Sequence, residues 1–272
     1  MVGDLSAFRR IERPGPRSAY TERKTKETQI LCELDLDGVG RAVISTPIGF
    51  FSHMLEAFAR HAHIDLHIAV AGDLEVDQHH TVEDTGLVLG EALRRALGER
   101  RGIWRTASME FPMDETRAAC AIDLSGRPYL QFDATFGRDH VGELATDLVV
   151  EFFAALTNAL AANLHLRLQC GANDHHKIEA LFKAFARAFE LAAAIHPRAA
   201  HEIPSTKGAL DSAGHDIATA ESTRTVAAPA EATGVPVALP TAASSPAAVP
   251  GTGRVVATSS GGFTLDELED VR

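Results

Sequence analysis

The sequence predicts an α+β protein built as internally duplicated α/β sandwich units, each carrying one His-His-x-x-Glu motif. Three observations point there. The stretches "HHTVEDTGLVLGEALRRALGER" and "HHKIEALFKAFARAFELAAAI" have apolar residues near helical spacing. The shorter runs "ETQILCELDLDG", "IDLHIAVAG", "RPYLQFDATF" and "NLHLRLQCG" read as strands with turn residues around them. Finally, the two halves can be laid over one another. Each reads helix, then a strand containing Leu-His-aliphatic (Leu66-His67-Ile68, Leu164-His165-Leu166), then glycine, then the His-His pair opening a second helix.

In chain order, residues 1–20 are polar and punctuated by Arg and Pro, which predicts a loose arm. Residues 21–110 form the first half of the duplicated domain. Its second helix carries Val82, Leu89, Leu93 and Leu97 on one face. Residues 111–210 form the second half, where Ile178, Leu181, Phe182, Phe185 and Phe189 make the clearer stripe. Residues 211–272 are rich in Ala, Pro, Ser and Thr. Such a composition buries too little apolar surface to offset chain entropy, so a disordered tail is expected. Its last stretch, "FTLDELEDVR", has Thr264 and Glu267 at capping-box spacing and a small apolar face.

A net charge of −11 argues against a general nucleic-acid or anionic-membrane binder, since phosphate binding needs a basic footprint. No apolar run approaches the length of a membrane span, and "MVGDLSAFRRIERPGPR" lacks an apolar signal-peptide core. Cys32, Cys120 and Cys170 are few, odd in number and without CxxC spacing, so a reducing cytoplasm is the expected location.

The paired histidines carry the chemistry. On a helix, neighbours diverge by about a hundred degrees while i, i+3 and i+4 share a face. Glu83 and Glu179 can therefore approach a histidine of their own motif, but the two imidazoles of each pair point apart. If the units meet about a pseudo-twofold, each pair can give one histidine to each of two metals. Imidazole plus carboxylate suits Mn, Fe, Co, Ni or Zn.

With "RKTKET", "GFFSHMLEAFARH", "HHTVEDTGLVLGEAL", "DLSGRPYL", "HHKIEALFKAFARA" and "PSTKG" in that order, residues 21–210 closely resemble imidazoleglycerol-phosphate dehydratase. The resemblance implies a ribosomal S5 domain 2-like duplicated fold. It also implies a lyase of histidine biosynthesis that dehydrates imidazole glycerol phosphate to imidazole acetol phosphate. Further implied are two Mn²⁺ ions per active site and homo-oligomeric trimers assembling into a 24-mer, with the site shared between subunits. Neither nucleic acid nor a membrane is an expected partner.

Residue by residue, the resemblance makes His53, His79, His80, Glu83, His175, His176 and Glu179 metal ligands, and Glu151, standing where many relatives have histidine, is expected to ligate in its place, as glutamate can ligate manganese. Glu27 corresponds to the acid or base near the substrate, alongside Glu83 and Glu179 as catalytic carboxylates. Substrate contacts fall on Glu27, His53, His61, Arg105, Arg127, His175, Lys183, Ser205, Thr206 and Lys207, the cationic ones mostly toward phosphate. Ser52 stands where the family usually has aspartate and bears on the orientation of His53. His67 and His165 are expected in core or structural roles. The competing readings are a dinuclear metal hydrolase and a non-catalytic metal-binding scaffold of the same fold.

Overall fold

The computed structural model describes residues 5–210; the tail and its terminal capping-box stretch lie outside the described residues. The elements run β1 (Ser18–Lys24), β2 (Thr28–Asp35), β3 (Ala42–Ser45), α1 (Gly49–Ala62), β4 (Asp65–Gly72), α2 (His79–Leu97), β5 (Thr106–Met113), β6 (Thr116–Asp123), β7 (Tyr129–Asp133), β8 (His140–Val141), β9 (Leu144–Ala145), α3 (Leu148–Leu160), β10 (Asn163–Cys170) and α4 (Asp174–Ala193). The four expected strands are β2, β4, β7 and β10.

The duplication is explicit in the sheets. One has the order β1-β2-β4-β3 and the other β5-β6-β10-β7. In each, the first two pairings are antiparallel and the last is parallel, with a helix crossing between the parallel partners. The second unit begins at β5, so Thr106 rather than residue 111 opens it.

Both sheets turn apolar faces inward onto helices. In β6, Thr116, Ala118, Cys120 and Ile122 alternate inward, and in β5 the less exposed residues are Ala107, Met109, Phe111 and Met113. The helices pack across the pseudo-symmetry: α1 of the first half lies on α4 of the second, and α2 lies on α3. Phe58 stacks on Phe185 at 5.2 Å between ring centroids, and Phe51 meets Phe152 edge-on at 5.4 Å. Gly86 and Gly90 let α3 approach closely: a Cβ at these positions would sit 2.6 Å from the Phe152 carbonyl oxygen and 2.5 Å from that of Leu156.

The N-terminal segment is held against the outer face of the first sheet. Ser18–Tyr20 belong to β1, and Ile11 is buried. Ile11 N–H donates to Glu33 at 2.7 Å and Gly15 N–H to Asp35 at 2.5 Å. Buried carboxylates on β2 need these donors, which is why an apparently loose polar arm becomes ordered. His67 accordingly sits beneath the arm, its Nδ1 2.7 Å from the Arg9 carbonyl oxygen, and His165 is exposed on the outer face of the second sheet. Neither enters the core. No helix among the described residues is long and apolar enough to cross a membrane.

Candidate metal centre and cleft

The second-half motif opens α4, whose start is firmly anchored. Asn173 caps it, accepting from His175 N–H at 3.0 Å. Buried Asp174 accepts from the N–H groups of Gly137 and Arg138 and from Lys177 Nζ. Burial alone would raise the Asp174 carboxyl, but these donors and the Lys177 charge hold it below its ordinary value.

From this base, α1–α4 packing joins His53 to the motif. His175 Nε2 lies 3.1 Å from Glu179 Oε2, and His53 Nε2 lies 3.7 Å from the same oxygen. The ligand atoms of His53, His175 and Glu179 all lie within 4.8 Å of one another. Two imidazole nitrogens and a carboxylate, without a thiolate, are a donor set that fits a borderline divalent ion. Lys183 Nζ donates to the other Glu179 oxygen at 2.7 Å. Burial works to raise the Glu179 carboxyl, yet Lys183 and the two imidazoles together lower it. This group opens into a cleft of about 430 Å³ whose lining includes Gly40, His53, Glu56, His61, Glu179 and Lys183. His61 packs edge-on against Phe111, and burial, then the Lys183 and Arg187 charges, push its pKa down.

The first-half motif is arranged alike. His79 Nε2 lies 3.4 Å from Glu83 Oε2. Because α2 contacts α3 as α4 contacts α1, Glu151 is the pseudo-symmetric counterpart of His53. The packing of Gly86 against Phe152 sets Glu151 within about a turn of Glu83 along the helices. Glu151 itself joins neither of the two three-residue clusters found among the described residues.

In both motifs the second histidine turns away: the rings of His79 and His80, and of His175 and His176, stand 87° apart. His80 Nδ1 faces Asp73 at 3.4 Å and Glu27 at 3.7 Å. His176 Nδ1 faces Glu115 at 2.9 Å. Hydrogen bonds from Asn173 N–H and His176 hold the Glu115 carboxyl well below the usual carboxylate range. Sequence reasoning missed Glu115 and Asp73. The signal for the first was its equivalence to Glu27, since Glu-Thr opens the second strand of each sheet.

Apart from Lys183, the expected phosphate contacts gather elsewhere. Arg105 forks onto Asp123 at 2.7 and 2.9 Å and donates to the Pro204 carbonyl, beside Ser205, Thr206 and Lys207. Arg127 follows β6 in the same corner, its carbonyl accepting from Asn163. Arg105 N–H bonds the Ala192 carbonyl near the end of α4, so this corner is about 24 Å along the helix from His176. One protomer therefore does not bring the two groups together. Ser52 shares a hydrogen bond with Thr46 at 2.8 Å, so its hydroxyl is engaged away from His53.

A sequence profile described as imidazoleglycerol-phosphate dehydratase matches residues 46–189. The chain is 53% identical over 194 residues to the imidazoleglycerol-phosphate dehydratase of Azorhizobium caulinodans, covering 71% of this chain and 98% of that protein. It is 50% identical over 212 residues to the histidine biosynthesis bifunctional protein HisB of Xylella fastidiosa. That match covers 72% of this chain and 56% of the relative, so the chain spans about half that protein's length. Among solved structures, the imidazoleglycerol-phosphate dehydratase of Staphylococcus aureus aligns with TM-score 0.59 and 36% identity, covering 66% of this chain and 99% of that one.

Proposed function

Because the chain belongs to the imidazoleglycerol-phosphate dehydratase family, we propose that it removes water from imidazole glycerol phosphate to give imidazole acetol phosphate in histidine biosynthesis. The observation that carries this is the meeting of His53, His175 and Glu179 across the two halves, with His53 and Glu179 lining a cleft together with Lys183.

His53, His175 and Glu179 would hold one divalent ion. His79 and Glu83, 3.4 Å apart, would hold the second ion, with Glu151 on α3 as the expected counterpart of His53. His80 and His176 face outward to complete sites on adjoining subunits. Manganese suits this donor set and would supply Lewis acidity toward the imidazole ring of the substrate.

The hydrogen to be removed sits on carbon with no adjacent carbonyl, so a positioned base is needed. Glu27 fits that role. Its side chain is about half exposed beside His80 and is free to move a proton on the substrate carbon. Glu83 and Glu179 hold the histidines in place, and Lys183 balances the buried charge of Glu179. Arg105, Arg127, Ser205, Thr206 and Lys207 bind the phosphate. Their distance from His176 along α4 exceeds the reach of a small substrate, which favours a site assembled between subunits, as trimers and a 24-mer would provide. A cytoplasmic location follows from the substrate and the three unpaired cysteines.

The test is turnover of imidazole glycerol phosphate by chelator-stripped protein before and after Mn²⁺ is returned. Restored ketone formation supports the dehydratase. Metal uptake without turnover points to the scaffold reading.

A further inference from the structure

Each sheet starts with a hairpin, and the two hairpins carry the same dipeptide at the same place. Glu27-Thr28 leads into β2 and Glu115-Thr116 into β6, with both threonines buried. Each glutamate sits near Nδ1 of the second histidine of its own half: Glu27 is 3.7 Å from His80, and Glu115 is 2.9 Å from His176. The duplication thus copied a turn carboxylate together with the motif it faces.

The copies have diverged. The turns are equally short, since Thr25 N–H bonds the Thr28 carbonyl oxygen at 2.9 Å across Lys26 and Glu27, as Met113 pairs with Thr116 across Asp114 and Glu115; what differs is what each carboxylate meets. Asp114 takes a left-handed φ of 49° to close that tight turn. Glu115 is then pinned. Its Oε1 accepts from Asn173 N–H at 2.9 Å and from Ala172 N–H at 3.2 Å, which leaves Oε2 for His176. Among the described residues the Glu27 carboxylate has no such backbone donors, and its own N–H bonds Thr25 Oγ1.

We propose that Glu115 is a positioning residue: it fixes the ring orientation and tautomer of His176, while its duplicate Glu27 is left mobile for proton transfer. An ionised carboxylate only accepts hydrogen bonds, so Nδ1 of His176, at 2.9 Å from Glu115, carries the proton, and Nε2, 4.0 Å from Asp114 Oδ2, keeps its lone pair for a metal. A ligating imidazole needs that state, and a carboxylate on its other nitrogen raises its basicity. Asp73 stands nearest His80 Nδ1 in the first half, from the loop after β4 instead of the hairpin. Two different parts of the chain thus give the same ring nitrogen a carboxylate. The proposal rests on the reading of His176 as a metal ligand.

Glu115→Gln tests it in the full chain. The amide keeps an oxygen for the backbone N–H groups but can turn a donor toward His176, favouring the proton on Nε2. Mn²⁺ binding to stripped protein, followed by the paramagnetic resonance of free Mn²⁺, should weaken about 10- to 100-fold for the ion that uses His176. In ¹⁵N spectra of metal-free, histidine-labelled protein, the His176 proton should move from Nδ1 to Nε2. His176→Ala and Asp114→Asn are run alongside. Loss of binding in His176→Ala with unchanged binding in Glu115→Gln overturns the positioning role and leaves the ligand reading standing. Full metal uptake by His176→Ala removes that reading and the proposal with it. Equal weakening in Asp114→Asn also overturns it, because the turn would then be acting as an acidic ligand cluster.

Discussion

The carboxylate of Glu179 reaches to 3.7 Å from the His53 imidazole across the boundary between the two halves of the chain. No local regularity brings them together; α1 must lie on α4 for the group to exist. Glu179→Gln should therefore lower bound metal by about one equivalent per chain and reduce turnover by more than the roughly 10- to 100-fold that losing a partner outside the metal's own ligands costs. His53→Ala should do the same. Elemental analysis of the purified variants checks it, and a full metal complement in both would remove this cluster from the site.

Gly90→Ala runs against helix propensity. In an exposed helix the change would stabilise by roughly 0.5–1 kcal/mol. Here the new methyl would lie 2.5 Å from the Leu156 carbonyl oxygen, so a net loss of about 1–3 kcal/mol is expected from forcing α2 off α3. Chemical denaturation measures it, and a variant as stable as the parent would show that the helices separate at little cost.

Acid should unfold the protein partly through Asp65 and Asp174. Burial opposes ionisation at both, yet hydrogen bonds and paired cations lower both pKa values. At Asp65 the donors are the Arg41 side chain and the N–H groups of Arg41 and Val39. Lowered native values mean that the folded chain binds these protons less readily than the unfolded one. Their contribution is complete above the unfolded value, about 4, and is lost as pH falls through the lowered native values. Asp65→Asn should be less stable at neutral pH and show a shallower decline below about pH 4. Denaturant midpoints from pH 7 down to 3 would reveal a parallel decline if the assignment is mistaken.

Removal of residues 211–272 should leave specific activity within about twofold, since no residue of the metal group or cationic corner lies in that span and changes away from such features are nearly neutral. Steady-state kinetics of the shortened chain test this. A collapse in activity would assign the segment a part in the site.

The sequence by itself determined the duplication, the α+β class, the start of both His-His-x-x-Glu helices and the family. It could do so because the α4 stripe of Ile178, Phe182, Phe185 and Phe189 and the apolar strands β2 and β4 announce their faces through periodic burial. Strands β5 and β6 were silent, since Ala107, Ser108, Ala118, Ala119 and Ala121 carry little apolar contrast and Pro112 reads as a strand breaker. The N-terminal arm read as loose because its anchors, Glu33 and Asp35, are charged residues that become buried only once the arm covers them. Tertiary structure alone decided which imidazole of each pair joins Glu179 or Glu83 and which turns to a carboxylate. Neighbouring helix residues diverge by fixed geometry, but what each then meets depends on how α1 lies on α4 and where the β5–β6 turn brings Glu115. Those contacts join residues far apart in the chain, and only the packed fold sets their distances.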